Sequence, residues 1–277
     1  MSKILITGDV HGDFQPIREI YQYMLKKYPL TENDTLIILG DFGGNFFLNH
    51  RDVEYKKKLE TYKITYFIIR GNHEERPSIC MEKNPNAWHI EELWGNQVYV
   101  ENDFPYIKYA LDIPAKYEIP TAQGTPIKTL VLPGAYSVDK YYRIANNWSW
   151  FPQEQCNEEE MAAGVVLAQS DTWDLVLSHT CPVIYEPTDL FLPTIDQSMI
   201  DKSTERWLGE IEYNLNYKLW CWGHFHSNRI YPKIENKDKL MLFNDCFFDV
   251  YKYFCGHYKL YNSLIKINNN INNFYYY

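Results

Sequence analysis

Five short blocks in this chain bring together side chains that bind metal ions. They are Asp9-Val10-His11, Gly40-Asp41, Gly71-Asn72-His73-Glu74, Ser178-His179 and Gly223-His224-Phe225-His226. Each follows directly on a short apolar run. Imidazole, carboxylate and amide oxygen suit Mn, Fe, Zn or Co better than Ca or Cu(I). Seven such residues, namely Asp9, His11, Asp41, Asn72, His179, His224 and His226, exceed the needs of one ion. Two divalent ions sharing a carboxylate fit them well. Ions about 3.5–4 Å apart clamp the attacking and leaving oxygens of an in-line displacement, and they lower the pKa of bound water towards neutrality.

Taken singly, each block has a plainer reading. Asp9 and Asp41 are good N-caps for a following helix. Asn72 suits a turn, and His179 suits a buried core position. Cys181 and Cys221 read as small buried hydrophobes rather than thiolate ligands. His50, His89 and His257 are assigned no metal role. The metal reading rests on all five blocks occurring together, each at the end of a strand.

The elements that must position them alternate. Ile4 to Thr7, Thr35 to Leu39 and Ile64 to Ile69 read as buried strands. Between them, Ile17, Ile20, Tyr21, Met24, Leu25 and Tyr28 recur at helical spacing behind Pro16, and Asp52 to Tyr62 reads as a charged helix. Such alternation implies a parallel sheet with crossover helices. Ligand sites form at the carboxyl ends of its strands. Residues 97–150 are rich in Tyr, Pro and β-branched types, with turn signals at Gly124 and Pro133-Gly134. They are expected to form antiparallel strands of a second sheet. A helix over 153–170, a strand Trp173 to Ser178, a helix over 203–215, a strand Lys218 to Trp222 and further strands over 228–254 follow. The tail from Leu260 to Tyr277 is rich in Asn, Ile and Tyr, and is expected to fray or add an edge strand. The expected class is α/β, in a single domain over residues 1–277.

Composition sets bounds. The chain has 277 residues, ample for a sizeable core, and 24 Tyr raise its aromatic share to 17%. A net charge of -9 argues against long nucleic acid and against anionic membranes as partners. It leaves a phosphate substrate open, because bound cations reverse the local field. No signal peptide or membrane span is expected. Six Cys without a C-x-x-C pair read as reduced thiols, so a cytoplasmic location is expected.

Asp9-x-His11, Gly40-Asp41, Gly71-Asn72-His73-Glu74, His179 and Gly223-His224-x-His226 resemble, in order, the motifs of the calcineurin-like metallophosphoesterases. The resemblance covers residues 4–226. It implies a two-sheet β-sandwich flanked by helices, a four-layer αββα architecture. It further implies that Asp9, His11 and His226 hold a first metal, that Asn72, His179 and His224 hold a second, and that Asp41 bridges them. Manganese is the first candidate, with Fe, Zn, Co or Ni as alternatives. By the same resemblance a metal-bridging hydroxide attacks a phosphate mono- or diester. His73 then stabilises the phosphoryl oxygens or protonates the leaving oxygen, and Glu74 or another carboxylate orients His73.

Departures narrow the substrate. Ser/Thr phosphoprotein phosphatases of the superfamily carry Asp-Arg after their Gly-Asp block, whereas this chain reads Gly40-Asp41-Phe42-Gly43 and lacks that Arg. A second stretch resembles part of a bacterial and phage subgroup: Gly134-Ala135-Tyr136-Ser137-Val138-Asp139-Lys140, Arg143, Trp148, Trp150 and Glu154. Arg143 or Lys140 is a candidate phosphate clamp there, against the plainer reading of Arg143 as a surface ion-pair residue. A phosphorylated small molecule or nucleotide is the expected substrate. A phosphoprotein phosphatase and a non-catalytic binding scaffold are the alternatives. Oligomeric state is left open.

Overall fold

Strands β1 (Ile4–Thr7), β2 (Thr35–Ile38) and β3 (Thr65–Ile68) are apolar along most of their length and almost wholly buried, the pattern of strands covered on both faces. The computed structural model describes residues 3–26, 29–255, 260–266 and 275–276. Tyr28, His257 and half of the tail lie outside them. Helix α1 (Phe14–Leu25) joins β1 to β2, and α2 (His50–Glu60) joins β2 to β3. Then come α3 (Pro77–Lys83), β4 (Trp88–Leu93), β5 (Asn96–Glu101), β6 (Ile107–Ala110), β7 (Ala115–Ile119), β8 (Ile127–Leu132), α4 (Lys140–Ala145) and α5 (Glu158–Gln169). The second half holds β9 (Trp173–Ser178), α6 (Ser203–Asn214), β10 (Tyr217–Trp222), β11 (Arg229–Ile234), β12 (Lys237–Met241) and β13 (Cys246–Asp249). It closes with α7 (Val250–Phe254), α8 (Leu260–Ser263), β14 (Leu264–Lys266) and β15 (Tyr275–Tyr276).

Two sheets result, ordered β14-β13-β1-β2-β3-β6-β5-β4 and β15-β11-β12-β10-β9-β8-β7. Ile6, Leu39 and Phe67 of the first pack against Tyr117, Leu175 and Leu219 of the second, making the central core. The outer face of the first sheet is covered by Ile17, Ile20 and Leu59 from α1 and α2. Trp207, Leu208 and Ile211 of α6 cover the second. This is the expected sandwich flanked by helices. The tail contributes edge strands, β14 against β13 and β15 against β11. Among the described residues no helix is long and apolar enough to cross a membrane. All six Cys are unbridged.

The middle segment departs from expectation. Only β7 and β8 enter the second sheet. β5 and β6 extend the first, with β6 parallel to β3. The second sheet is itself parallel at its centre, from β8 through β9 and β10 to β12. Alternating burial in β5 and β7 marks them as strands but says nothing of which sheet adopts them. Helix α5 starts at Glu158 rather than 153, where Asn157 and Glu160 form a reciprocal capping box.

Candidate metal centre

Parallel neighbours β1, β2 and β3 deliver three of the five blocks to one edge of the sandwich, and β9 and β10 deliver the other two to the same edge. The turns that follow are tight. His11, Asp41, His224 and His226 all have positive φ, at 48°, 47°, 69° and 50°. A residue with a side chain held there costs roughly 1–3 kcal/mol, which persists only where the surroundings over-determine it. Two glycines permit close approach: a β-carbon on Gly71 would lie 2.1 Å from Asp41 Oδ1, and one on Gly223 2.1 Å from Asp9 Oδ1. Backbone donors fix both carboxylates. His73 N–H donates to Asp41 Oδ1 (2.8 Å), and His224 N–H to Asp9 Oδ1 (2.9 Å). Neither Asp caps a helix; Asp13 caps α1 and Asn49 caps α2.

All seven predicted donors converge. His11 Nε2 and His226 Nε2 stand 2.8 Å apart, and Asp9 Oδ2 is 3.9 and 3.5 Å from them. His179 Nε2 is 2.8 Å from Asn72 Oδ1 and 3.3 Å from His224 Nδ1. Asp41 Oδ2 lies between the groups, 3.5 Å from His179 Nε2 and 3.9 Å from His11 Nε2. Donors about 2.0–2.1 Å from one ion stand roughly 2.9 Å apart at right angles and about 3.4 Å apart in a tetrahedron. The observed spacings fall around those values.

Hydrogen-bonding logic tests whether a cation fits. His179 Nδ1 is 2.6 Å from the Leu39 carbonyl oxygen, which only accepts, so Nδ1 carries a hydrogen. Asn72 Nδ2 donates to Ser137 Oγ (2.9 Å), which turns Asn72 Oδ1 towards His179 Nε2. A neutral His179 would therefore face Asn72 lone pair to lone pair, and a positive charge resolves the clash. Burial disfavours a charged His179, but the Asp41 and Asp9 carboxylates outweigh it and raise its pKa to about 9. Burial would also raise both aspartates, yet His179 and its neighbours hold them below the ordinary carboxylate value. Burial, with His179 beside it, pushes His224 down to about 3, leaving it a neutral donor. The aspartates and His224 already hold the ionised and neutral states that metal binding requires, while the carboxylates raise His179 and His226, whose proton a divalent cation would replace.

The remaining candidates divide. His73 sits beside the cluster, its Nδ1 3.7 Å from Asp41 Oδ2. Arg143 is buried rather than a surface residue. Its Nη2 is 3.1 Å from both His73 ring nitrogens, and its Nε donates to Asp139 Oδ2 (2.8 Å). Glu74 corrects the expectation placed on it. Its Oε1 accepts from Gly43 N–H (2.8 Å), and burial with Asp41 nearby raises its pKa to about 8. The carboxylate beside His73 on the far side from Asp41 is instead Asp139, 3.9 Å from Nε2. Lys140 stands over the Trp150 ring at 4.4 Å. Cys181 and Cys221 are fully buried, and burial raises their thiols well above the usual value.

One role was missed. Ser137 bonds Asn72 and is itself gripped by Glu154, through N–H to Oε1 (3.0 Å) and Oγ to Oε2 (2.6 Å); Trp150 Nε1 donates to the same carboxylate (3.0 Å). The Ser137, Trp150 and Glu154 positions stood out in sequence, but their target, Asn72, is more than 60 residues away. Orienting partners of this kind are worth about 10–100-fold in metal affinity. Ser137→Ala is thus expected to weaken one of two ions by that factor, read by calorimetric titration of the metal-stripped protein. Unchanged affinity at both sites would remove Ser137 from this role.

Comparison with known proteins agrees with this geometry. Residues 2–228 match the family model described as calcineurin-like phosphoesterase. Among solved structures, TT1561 of Thermus thermophilus is similar over 96% of this chain and 99% of its own, at 11% identity and a TM-score of 0.52. A dimetal phosphatase from Danio rerio aligns over 90% and 95% of the two chains, at 12% identity and a TM-score of 0.47. At such identity the first similarity speaks to the fold alone. No curated protein matches the chain significantly.

Proposed function

The chain belongs to the calcineurin-like phosphoesterase family, and from that premise we propose that it hydrolyses a phosphate mono- or diester of a small molecule or nucleotide at a pair of divalent metal ions. The observation that carries this is the central place of Asp41. Its Oδ2 stands between the Asp9–His11–His226 group and the Asn72–His179–His224 group, within 3.9 Å of imidazoles from both. Asp9, His11 and His226 would hold one ion, Asn72, His179 and His224 the other, with Asp41 shared. When bound, the ions supply the acidity that makes water a nucleophile near neutral pH and the charge that offsets the phosphoryl oxygens.

The chain's own residues do the rest. Burial, with the Arg143 guanidinium beside it, holds His73 below the ordinary histidine value despite Asp41. A neutral His73 still carries one N–H, which donates to a phosphoryl or leaving oxygen. Asp139 fixes Arg143 through its Nε, leaving Nη2 against the His73 ring. These contacts support Arg143 as the phosphate clamp in this reading, although the usual Asp-Arg sequence is absent. Lys140, stacked on Trp150, has a weaker claim to that task.

The test uses the full chain, stripped of metal and reloaded with Mn, Fe, Zn, Co, Ni or Mg in turn. It is assayed on an aryl monophosphate, a bis-aryl phosphate and a nucleotide panel. About two ions per chain are expected, as the two-metal arrangement requires, with turnover highest in Mn. Fully loaded protein inert on mono- and diesters alike would favour a non-catalytic scaffold.

A further inference from the structure

A cavity of about 480 Å³ opens beside the metal centre, sharing Asp41, Asn72, His73, His224 and His226 with it. Such a volume holds a small molecule. Its far wall comes from the segment between β9 and α6, which carries three single-turn 3₁₀ helices and no longer element. That segment is pinned. Arg229 makes a two-pronged ion pair with Asp189 (2.9 and 2.7 Å), and Tyr231 Oη donates to the Tyr185 carbonyl (2.7 Å).

What the wall presents is apolar. Phe191, Leu192, Ile195 and Ile200 line the cavity, and none belongs to a core cluster of the described residues. Leu192 is 63% exposed. Apolar surface left wet beside a charged centre favours a ligand that covers it. The charges around it point the same way. Asp139, Glu186, Asp201 and Glu205 line the cavity with a single Lys, Lys202, already bound to Glu186 at 2.7 Å and seated 4.8 Å over the Phe191 ring. No spare cation stands ready among these lining residues for a second anionic group.

We infer that the site selects phosphate esters whose leaving alcohol is uncharged and carries a ring-sized apolar group, through the Phe191–Leu192–Ile195–Ile200 wall. This rests on the phosphoesterase reading above. The charge pattern disfavours alcohols that bear a carboxylate or further phosphates. The wall sets affinity for the alcohol part, while the metal centre acts on the phosphate.

The test compares 2-phenylethyl, 2-hydroxyethyl and 2-carboxyethyl phosphate, whose alkoxide leaving groups are chemically alike, on the Mn-loaded full chain. kcat/KM for the phenylethyl ester is expected to exceed that for the hydroxyethyl ester at least tenfold, with the carboxyethyl ester slowest. The corresponding phosphonates, which cannot be hydrolysed, are titrated calorimetrically and are expected to bind in the same order. Leu192→Asp, at an exposed position that folding tolerates, is expected to cut the phenyl-to-hydroxyl ratio at least fivefold. Phenyl and hydroxyl ligands within twofold of each other, or a ratio that Leu192→Asp leaves unchanged, would overturn the inference. Absence of turnover on all three esters, and on the bis-aryl phosphate as well, would overturn the phosphoesterase reading instead, and the phosphonate titration would then still decide the wall.

Discussion

Asp41→Asn is expected to abolish both metal occupancy and turnover while leaving the fold in place. The substitution keeps the shape of the side chain, and Oδ1 can still accept from His73 N–H. What it removes is the one carboxylate placed between the two donor groups. Loss of an orienting partner outside the donor set costs about 10–100-fold in metal affinity. Loss of a shared charged donor must cost more, and it acts on both ions at once. Bound metal should fall from about two ions per chain to one or fewer, with activity down by on the order of 10³-fold or more, given what two-ion chemistry requires.

Stability gives a second readout for the same variant. Asp9 and Asp41 are both buried, and each carboxylate disfavours ionisation of its neighbour. The metal-free protein carries this repulsion, offset by a protonated His179. Yet the imidazoles around Asp41 hold its carboxyl below the ordinary value, so the charge is net stabilising near neutral pH, and its removal should lower the melting temperature of the stripped protein. The wild type should gain stability on adding Mn, since a ligand that binds only the folded state stabilises it by mass action. The variant should lose most of that gain. A variant that still binds two ions with wild-type affinity would show that Asp41 does not bridge them.

How much of this was legible in the sequence follows from which interactions are local. The five blocks were readable because a parallel strand buried on both faces is a short, nearly continuous apolar run, and because the polar residue ending it has few other uses. The glycines at 71 and 223 marked the same places, since any side chain there would strike Asp41 or Asp9. Strand partners were not readable. Residues 97–150 read as antiparallel strands of a second sheet, and only the packed structure seats Ile107–Ala110 in the first sheet, parallel to β3. Helix α3 is seven residues long, too short to show a period, although Pro77 at its start was a signal. The capping box at Asn157 would have placed the start of α5 correctly had it been weighed above the general pattern.

At the site, the same division holds. Donor identities were legible because chemistry restricts their types. The partners of those donors were not, because Ser137, Glu154 and Asp139 reach Asn72 and His73 across gaps that no spacing rule spans. Glu74 illustrates the hazard. The resemblance offered it, or another carboxylate, to orient the His73 ring, but its carboxylate accepts from Gly43 instead. The cavity wall was illegible for another reason. A segment built of single 3₁₀ turns, broken by Pro187 and Pro193, has no hydrophobic period that would tell a lining residue from a loop residue.

His73→Ala separates donor from assistant, and it is expected to keep both ions while losing rate. His73 does approach the cluster, and with His11 and Asp41 it forms a group whose spacing alone would allow an ion. Two facts speak against that role. Arg143 packs its guanidinium against the His73 ring, a cation where a ligand would need a lone pair free. His73 also takes no part in the closest donor pairings, which link His11 to His226 and His179 to Asn72. A residue that donates one hydrogen bond or proton in the transition state is worth about 10²–10⁴-fold. His73→Ala should therefore lower kcat by that factor with KM little changed. His73→Asn, which retains an N–H, should lose less if the task is to steady a phosphoryl oxygen. It should lose as much as Ala if the task is to protonate the leaving alkoxide. In the second case esters of acidic phenols, which leave without a proton, should be spared relative to alkyl esters. Metal content measured on the same preparations decides the assignment: loss of an ion from His73→Ala comparable to that from Asp41→Asn would place His73 among the donors and reassign the centre.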